Sequence, residues 1–284
     1  MLLLDYLQKK YPTAKKMTLK RMLEEGRVRV NGKPADRLKL ELGDQDKVEV
    51  NERPITQRPR YTLAPLERVH EDADVLVVNK PPGLLTSTVL TEKRQTAIAL
   101  IRRYLAEREP RARAGIIHRL DRDASGLLVF SKSNGAYEDL KRQFFHHTVE
   151  RVYTAVVRGK PNPPAGVIRT HLIEMPDGSM RNTDESGKGQ VAVTRYETIA
   201  VRKGNSLLRV KLETGRKHQI RAHLAKRGVP IAGDEVYGEP AESESRLLLC
   251  ATMLAFDHPR TGQRMTFQIP PPGEIQKLFP SDVG

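Results

Sequence analysis

The stretch Gly115-Ile-Ile-His-Arg-Leu-Asp-Arg-Asp-Ala-Ser-Gly-Leu-Leu-Val-Phe130 holds the side chains best placed to do chemistry. In it Asp121 stands between Arg119 and Arg122, just after an apolar pair. Such a carboxylate can act as a nucleophile or a fixed negative charge, if a cation keeps it ionised once it leaves water. It can equally be half of a surface ion pair, and the local pattern leaves the two readings level. A second stretch, Thr214-Gly-Arg-Lys-His-Gln-Ile-Arg-Ala-His-Leu224, gathers Arg216, Arg221, His218 and His223. Tyr153 lies in the alternating run Val152-Tyr-Thr-Ala-Val-Val157, where an isolated tyrosine reads as core packing. His118, His218 and His223 lack a metal-binding spacing and read as structural or hydrogen-bonding residues. Cys250 is the single cysteine, which excludes a disulfide or a cysteine-based zinc site within one chain. No glycine-rich nucleotide loop or metal-ligand cluster is evident in the sequence.

Elements of matching pattern must position these residues. The 115–130 stretch reads as two buried strands joined by a tight charged loop, with Ser125-Gly126 at the bend. Val75 to Val78 is a buried-strand run, and Pro81-Pro82-Gly83 forces a turn after it. Thr91 is placed to cap a helix through Ile98, Ile101 and Leu105 that Pro110 ends, and a further helix is expected from Tyr137 to Phe145. Strands follow near 152–157, 191–196 and 207–212, with residues 160–190 read as loops around a short strand near 167–172. Thr214 is expected to cap a helix through Ile220 and Leu224 that Gly228 and Pro230 end. Strands at 247–249 and 265–269 precede a Pro270-Pro-Pro-Gly273 stop. Strands outnumber helices without alternating with them, which predicts an α+β fold on a mixed, mainly antiparallel sheet.

The 284 residues suffice for one large domain and a small one. With 38% hydrophobic and 30% charged residues, the chain is globular and not disordered. Its formal net charge of +14 points to a polyanionic partner, nucleic acid above all. The start of the sequence lacks a basic leader and a long apolar core, and no apolar run is long enough to span a bilayer. A soluble, cytoplasmic monomer is the expectation.

Residues 1–50 read as a separate small unit. A short helix through Leu2 to Leu7 ends near Pro12; a second, capped by Thr18, runs through Leu19, Met22 and Leu23 to Gly26. Lys15, Lys16, Lys20 and Arg21 cluster around the second helix, and Arg27, Arg29 and Lys33 extend the basic side. Val28-Arg-Val30 and Val48-Glu-Val50 are strand-like, with a tight-turn signal at Asn31-Gly32. Leu19-Lys-Arg and Gly26-Arg-Val-Arg-Val-Asn-Gly-Lys-Pro34 together resemble the RNA-binding module named after ribosomal protein S-four. That resemblance implies that these cations grip RNA backbone. Residues 51–65 hold three prolines and read as a linker to a domain at 66–284.

Several motifs of the second domain occur together and in order: His118-Arg-Leu-Asp-x-x-Ala-Ser-Gly-Leu-Leu128, Tyr153-x-Ala-x-Val-x-Gly159, the 214–224 stretch and Gly233-Asp-Glu-Val-Tyr-Gly238. Over 66–284 the chain resembles the RluA-type pseudouridine synthases. The resemblance implies isomerisation of chosen uridines in RNA, ribosomal RNA of the large subunit first and transfer RNA second, without cofactor. It implies that Asp121 is the catalytic aspartate, that Arg221 (in preference to Arg216) pairs with it, and that Tyr153 stacks on the flipped uracil. Arg119 matches the residue that fills the gap left by the flipped nucleotide. Ala124 stands where threonine is usual and Arg151 where lysine is common. The alternatives are a non-catalytic RNA-binding or ribosome-assembly protein with the same fold, or a hydrolase, which needs a second carboxylate.

Overall fold

The computed structural model describes residues 1–14, 16–24, 27–35, 37–43, 45–51, 66–87, 95–109, 111–183, 185, 187–238 and 246–282, the side chains of Arg21 and Glu24 excepted. Lys15, Gly26, Asp44, Thr91, Pro110, the Arg21 side chain and nearly all of the expected linker therefore lie outside the described residues. The chain divides into two compact units, Met1–Thr62 and Leu63–Gly284.

In the first unit, helices α1 (Leu3–Lys10) and α2 (Lys16–Glu24) are followed by strands β1 (Val28–Val30), β2 (Lys33–Pro34) and β3 (Val48–Val50) in the order β2-β1-β3. Leu3 and Leu7 of α1 bury against Leu19, Met22 and Leu23 of α2 and Val28 of β1, because apolar residues at three- and four-residue spacing share one helix face. Asn31 and Gly32 both take positive φ, 53° and 76°, as the tight turn between β1 and β2 requires. Thr18 is not a cap: α2 begins at Lys16, which puts Thr18 inside the helix. Lys16, Lys20 and Lys33 are exposed, while Arg27 and Arg29 are half-buried. The Arg27 Nε donates to the Asn51 carbonyl at 2.9 Å, so that cation also closes the unit's end.

The second unit runs β4 (Glu67–Glu71), β5 (Val75–Lys80), α3 (Ala97–Arg108), β6 (Gly115–Ile116), β7 (Ser125–Ser131), α4 (Asn134–Phe145) and β8 (Glu150–Arg158). It continues with β9 (Ala165–Glu174), β10 (Met180–Thr183), β11 (Gln190–Arg202), β12 (Asn205–Leu212), α5 (Gln219–Lys226), β13 (Leu249–Asp257), β14 (Arg264–Gln268) and α6 (Gly273–Leu278). Among the described residues the strands form one 11-stranded sheet, ordered β10-β9-β11-β12-β8-β13-β7-β5-β4, with β14 on β13 and β6 on β7. Only β13 and β7 pair in parallel; the mixed, mainly antiparallel α+β fold is confirmed.

All seven residues of β7 are buried, since alternate side chains feed two cores. Leu128 and Phe130 join Leu76, Val78 and the apolar face of α3; Leu127 and Val129 join Val75, Val77 and Leu140 of α4. Thr96 caps α3 by accepting from the Ala99 amide, and Ser133 caps α4 through the Ala136 amide, each at 3.2 Å.

Three local expectations give way to longer-range pairing. Gly126 is not at a bend but inside β7, at φ +112°, where a Cβ would lie 2.3 Å from the Ala251 carbonyl oxygen. The glycine lets β13 approach at the parallel junction. The strand expected near 167–172 is longer, Ala165–Glu174, and the stretch also holds β10, because β9 pairs with β11 and turns back into β10. The proline-rich stop leads into α6, whose Ile275 is fully buried beside Phe279.

Candidate active site

The loop from Ile117 to Ala124 carries Asp121 and is pinned on both sides of that residue. Thr86 Oγ1 donates to the Leu120 carbonyl at 2.9 Å and accepts from the Leu120 amide at 3.1 Å. The fully buried Lys80 donates to the carbonyls of Pro81, Leu84 and Arg122 at 2.8, 2.8 and 2.9 Å. Burial pulls the Lys80 ammonium down to about 8, against the raising pull of Asp123 and Asp121. Ala124 is buried in the core, and the hydroxyl bonding that holds this loop comes from Thr86.

The surface ion pair forms at Asp123 and not at Asp121. Arg122 pairs at the surface with Asp123, Nε to Oδ1 at 2.8 Å. Asp121 turns inward, its side chain 18% exposed, and its Oδ2 lies 3.4 Å from Nη1 of Arg221.

Arg221 sits in the first turn of α5. That helix starts after His218, which takes a left-handed φ of 51°, and not at Thr214. Gln219 explains the shift. Its side-chain Oε1 accepts from Thr214 Oγ1 and the Arg216 amide, while its Nε2 donates to the Val193 carbonyl and Thr194 Oγ1. Thr214 thus anchors the loop to β11 through its own bond from the Val193 amide.

The dominant partner of Arg221 is Asp234, whose two oxygens receive Nε and Nη2 at 2.8 Å each. Asp234 Oδ1 also accepts the amides of Val236 and Tyr237. Burial works against the Arg221 cation, but Asp234 first and Asp121 second hold its proton more tightly than in water. Burial would raise the Asp234 carboxyl; the bonds from Arg221 outweigh it and leave the group below its ordinary range. One guanidinium therefore faces two carboxylates, the buried one gripping in bidentate fashion and Asp121 lying at longer range.

Asp121 and Arg221 line one cavity of about 620 Å³, together with Tyr153 on β8 and Arg119, Arg151 and Arg216, while Asp234 stands behind it. Tyr153 is 5% exposed. Burial, opposed by Arg151 and reinforced by Asp121, pushes its phenol up, so the hydroxyl keeps its proton at neutral pH. Arg119 is exposed, whereas Arg216 spends its Nε on the Val191 carbonyl. The structure thus brings Asp121, Arg119, Tyr153 and Arg221 together, while the basic residues of Met1–Thr62 belong to the other unit. Lys80, Thr86, Gln219, Asp234 and Tyr237 escaped sequence reasoning as site residues. Asp234 and Tyr237 fall within a motif noted above, Gly233 to Gly238, but nothing in sequence tied them to Arg221 and His218.

His118 and His223 are held by hydrogen bonds within the fold. His118 accepts the Val129 amide on Nε2 and stacks on Phe144 at 4.7 Å; His223 lies between Thr170 and Thr194 hydroxyls. Burial, aided by Arg151, holds His118 down at about 3; burial, aided by Lys226, holds His223 at about 4. Unfolding returns both to about 6.5, so below that pH the unfolded chain binds more protons and stability falls as pH drops towards 4. The expected slope is up to about 1.4 kcal/mol per pH unit for each ring. Urea midpoints at pH 7 and pH 4.5 measure it; equal midpoints would mean that both rings are solvated.

Comparison with known proteins agrees with this architecture. The family described as RNA pseudouridylate synthase matches residues 74–226. Over 287 residues the chain is 33% identical to ribosomal large subunit pseudouridine synthase D of Neisseria meningitidis, covering 96% of this chain and 76% of that one. It is 35% identical over 263 residues to an uncharacterized RNA pseudouridine synthase of Bacillus subtilis, covering 90% and 86%. Human RNA pseudouridylate synthase domain containing 4 shares the fold, with a TM-score of 0.62 at 23% identity over 73% of this chain and 89% of that one. A carboxylate loop pinned from both sides, a guanidinium between two carboxylates and a buried tyrosine all lie within a fold shared by such proteins, and the chain belongs to the RNA pseudouridylate synthase family, RluA type.

Proposed function

We propose that the protein isomerises uridines of large-subunit ribosomal RNA to pseudouridine, with Asp121 as the reacting carboxylate. The observation that carries this reading is the pairing of Asp121 with Arg221 inside a cavity that also holds Tyr153. Among the described residues lining that cavity Asp121 is the only carboxylate, which suits this isomerisation better than two-carboxylate hydrolysis. The target nucleotide leaves its stack and enters the cavity. Asp121 faces the ribose carbon as the bond to uracil N1 breaks, and Arg221 keeps the carboxylate charged and oriented. The base then turns against Tyr153 and rejoins through carbon 5, losing the proton there. Arg119, exposed at the rim, occupies the space that the flipped nucleotide vacates.

In this proposal Lys15, Lys16, Lys20, Arg21, Arg27, Arg29 and Lys33 of the N-terminal module hold RNA backbone, and the net charge of +14 supports that role. A monomer acting on cytoplasmic RNA completes this reading. No described helix is long and apolar enough to cross a membrane. Ribosomal RNA takes precedence over transfer RNA because a relative 33% identical over 96% of the chain is named for the large ribosomal subunit. The test is tritium release to water from transcripts of both RNAs labelled at uracil carbon 5. Release from the ribosomal transcript is expected; none from either would overturn the reading.

A further inference from the structure

Arg151 has no structural partner equal to its charge. It is 8% exposed, lines the cavity that holds Asp121, and lies two residues before Tyr153 on the same face of β8. Its Nε is buried without a hydrogen bond, and among the described residues no carboxylate pairs with it. The Phe144 ring, 5.3 Å from its guanidinium carbon, supports it on one side. On another, Nη1 lies 2.5 Å from where a Cβ on Gly215 would be, so the loop before α5 leaves room for this guanidinium. Burying a cation without a counterion is costly, and an arginine cannot escape the cost by losing its proton. A site built this way awaits an anion.

Resting on the synthase reading, we infer that Arg151 is a catalytic residue that stabilises the uracil anion formed when the base leaves its ribose. When the N1–C1′ bond breaks, its electron pair stays with uracil and spreads over N1, O2 and O4. The electron-poor ribose carbon faces the Asp121 carboxylate. Neither Asp121, paired with Arg221, nor Tyr153, whose phenol burial pushes up, is a ready proton donor to the base. The guanidinium takes up the charge without transferring a proton. Carbon 5 then gives an electron pair to C1′, leaving an N1=C6 double bond; the carbon 5 proton leaves to water and N1 takes one from water, so the ring regains its C5=C6 bond with no net change in protons. Among the cations of the cavity, Arg221 serves the carboxylate and Arg151 the leaving base.

Charge that appears only during bond cleavage should register in the rate and not in binding. With C5-tritiated ribosomal transcript, Arg151→Met should slow single-turnover release about 10²- to 10³-fold while RNA affinity stays within about threefold. Arg151→Lys should recover part of the rate. The thermal midpoint of Arg151→Met should hold or rise, because an unpaired buried cation has been removed. Weaker RNA binding at an unchanged rate would make Arg151 a phosphate contact and overturn the inference. So would unchanged kinetics, or a fall in midpoint that tracks the loss of activity. Absence of release by the unaltered protein would instead defeat the synthase reading itself.

Discussion

Asp121→Asn should release no measurable tritium from RNA labelled at uracil carbon 5, a loss on the order of 10⁴-fold or more, yet should bind that RNA as the parent does. Asparagine matches aspartate in size but offers the ribose carbon neither a charge nor a nucleophilic oxygen. The fold should tolerate the change. Arg221 keeps its two 2.8 Å bonds to Asp234, and the bond lost to Asp121 is the longer one at 3.4 Å, on a side chain 18% exposed. Thr86 and Lys80 hold the loop through backbone carbonyls and an amide, which the substitution leaves in place. Thermal unfolding within a few degrees of the parent, measured beside the release assay, separates lost chemistry from lost structure. Release persisting at the parental rate would remove Asp121 from the reaction.

The second large effect lies at Asp234, behind the site. Its side chain is 0% exposed and that of Arg221 5%, so Asp234→Asn leaves a buried guanidinium short of its main counter-charge. Breaking such a pair costs about 3–5 kcal/mol of stability. Asparagine also turns an amide group towards a guanidinium that can only donate, and the Val236 and Tyr237 amides compete for the remaining oxygen. Arg221 then loses the fixed angle at which it meets Asp121, and a displacement of about 1 Å at a reacting group can cost 10²-fold in rate. Assayed well below its unfolding temperature, the variant should show a rate lowered about 10²-fold with RNA affinity retained. A drop in stability with an unchanged rate would make Asp234 a structural residue only.

Much of this protein was legible in sequence because its strands are short-range statements. The apolar run 75–78 and the run after Gly126 announce buried strands, and the Asn31-Gly32 turn announces a hairpin. The aspartate, tyrosine and arginine of the site sit in motifs that name a family. Errors arose where a partner distant in sequence outweighs local preference. Thr214 has a cap's chemistry, yet Gln219 draws it to β11, and the helix starts five residues later. Gly126 has a turn's chemistry, yet what it accommodates is the backbone of Ala251.

The sequence alone determines which side chains can react: one carboxylate among arginines, a tyrosine on an alternating strand, and an excess of cations suited to RNA. Tertiary structure decides which cation serves which anion. Arg122 goes to Asp123, its neighbour in the chain; Arg221 reaches Asp121 across 100 positions and Asp234 across 13. Arg151 is left unpaired in the same cavity. Hydrogen-bond partners are set by distances of about 3 Å in space. Separation along the chain carries no such information once strands from both ends of the domain share one sheet.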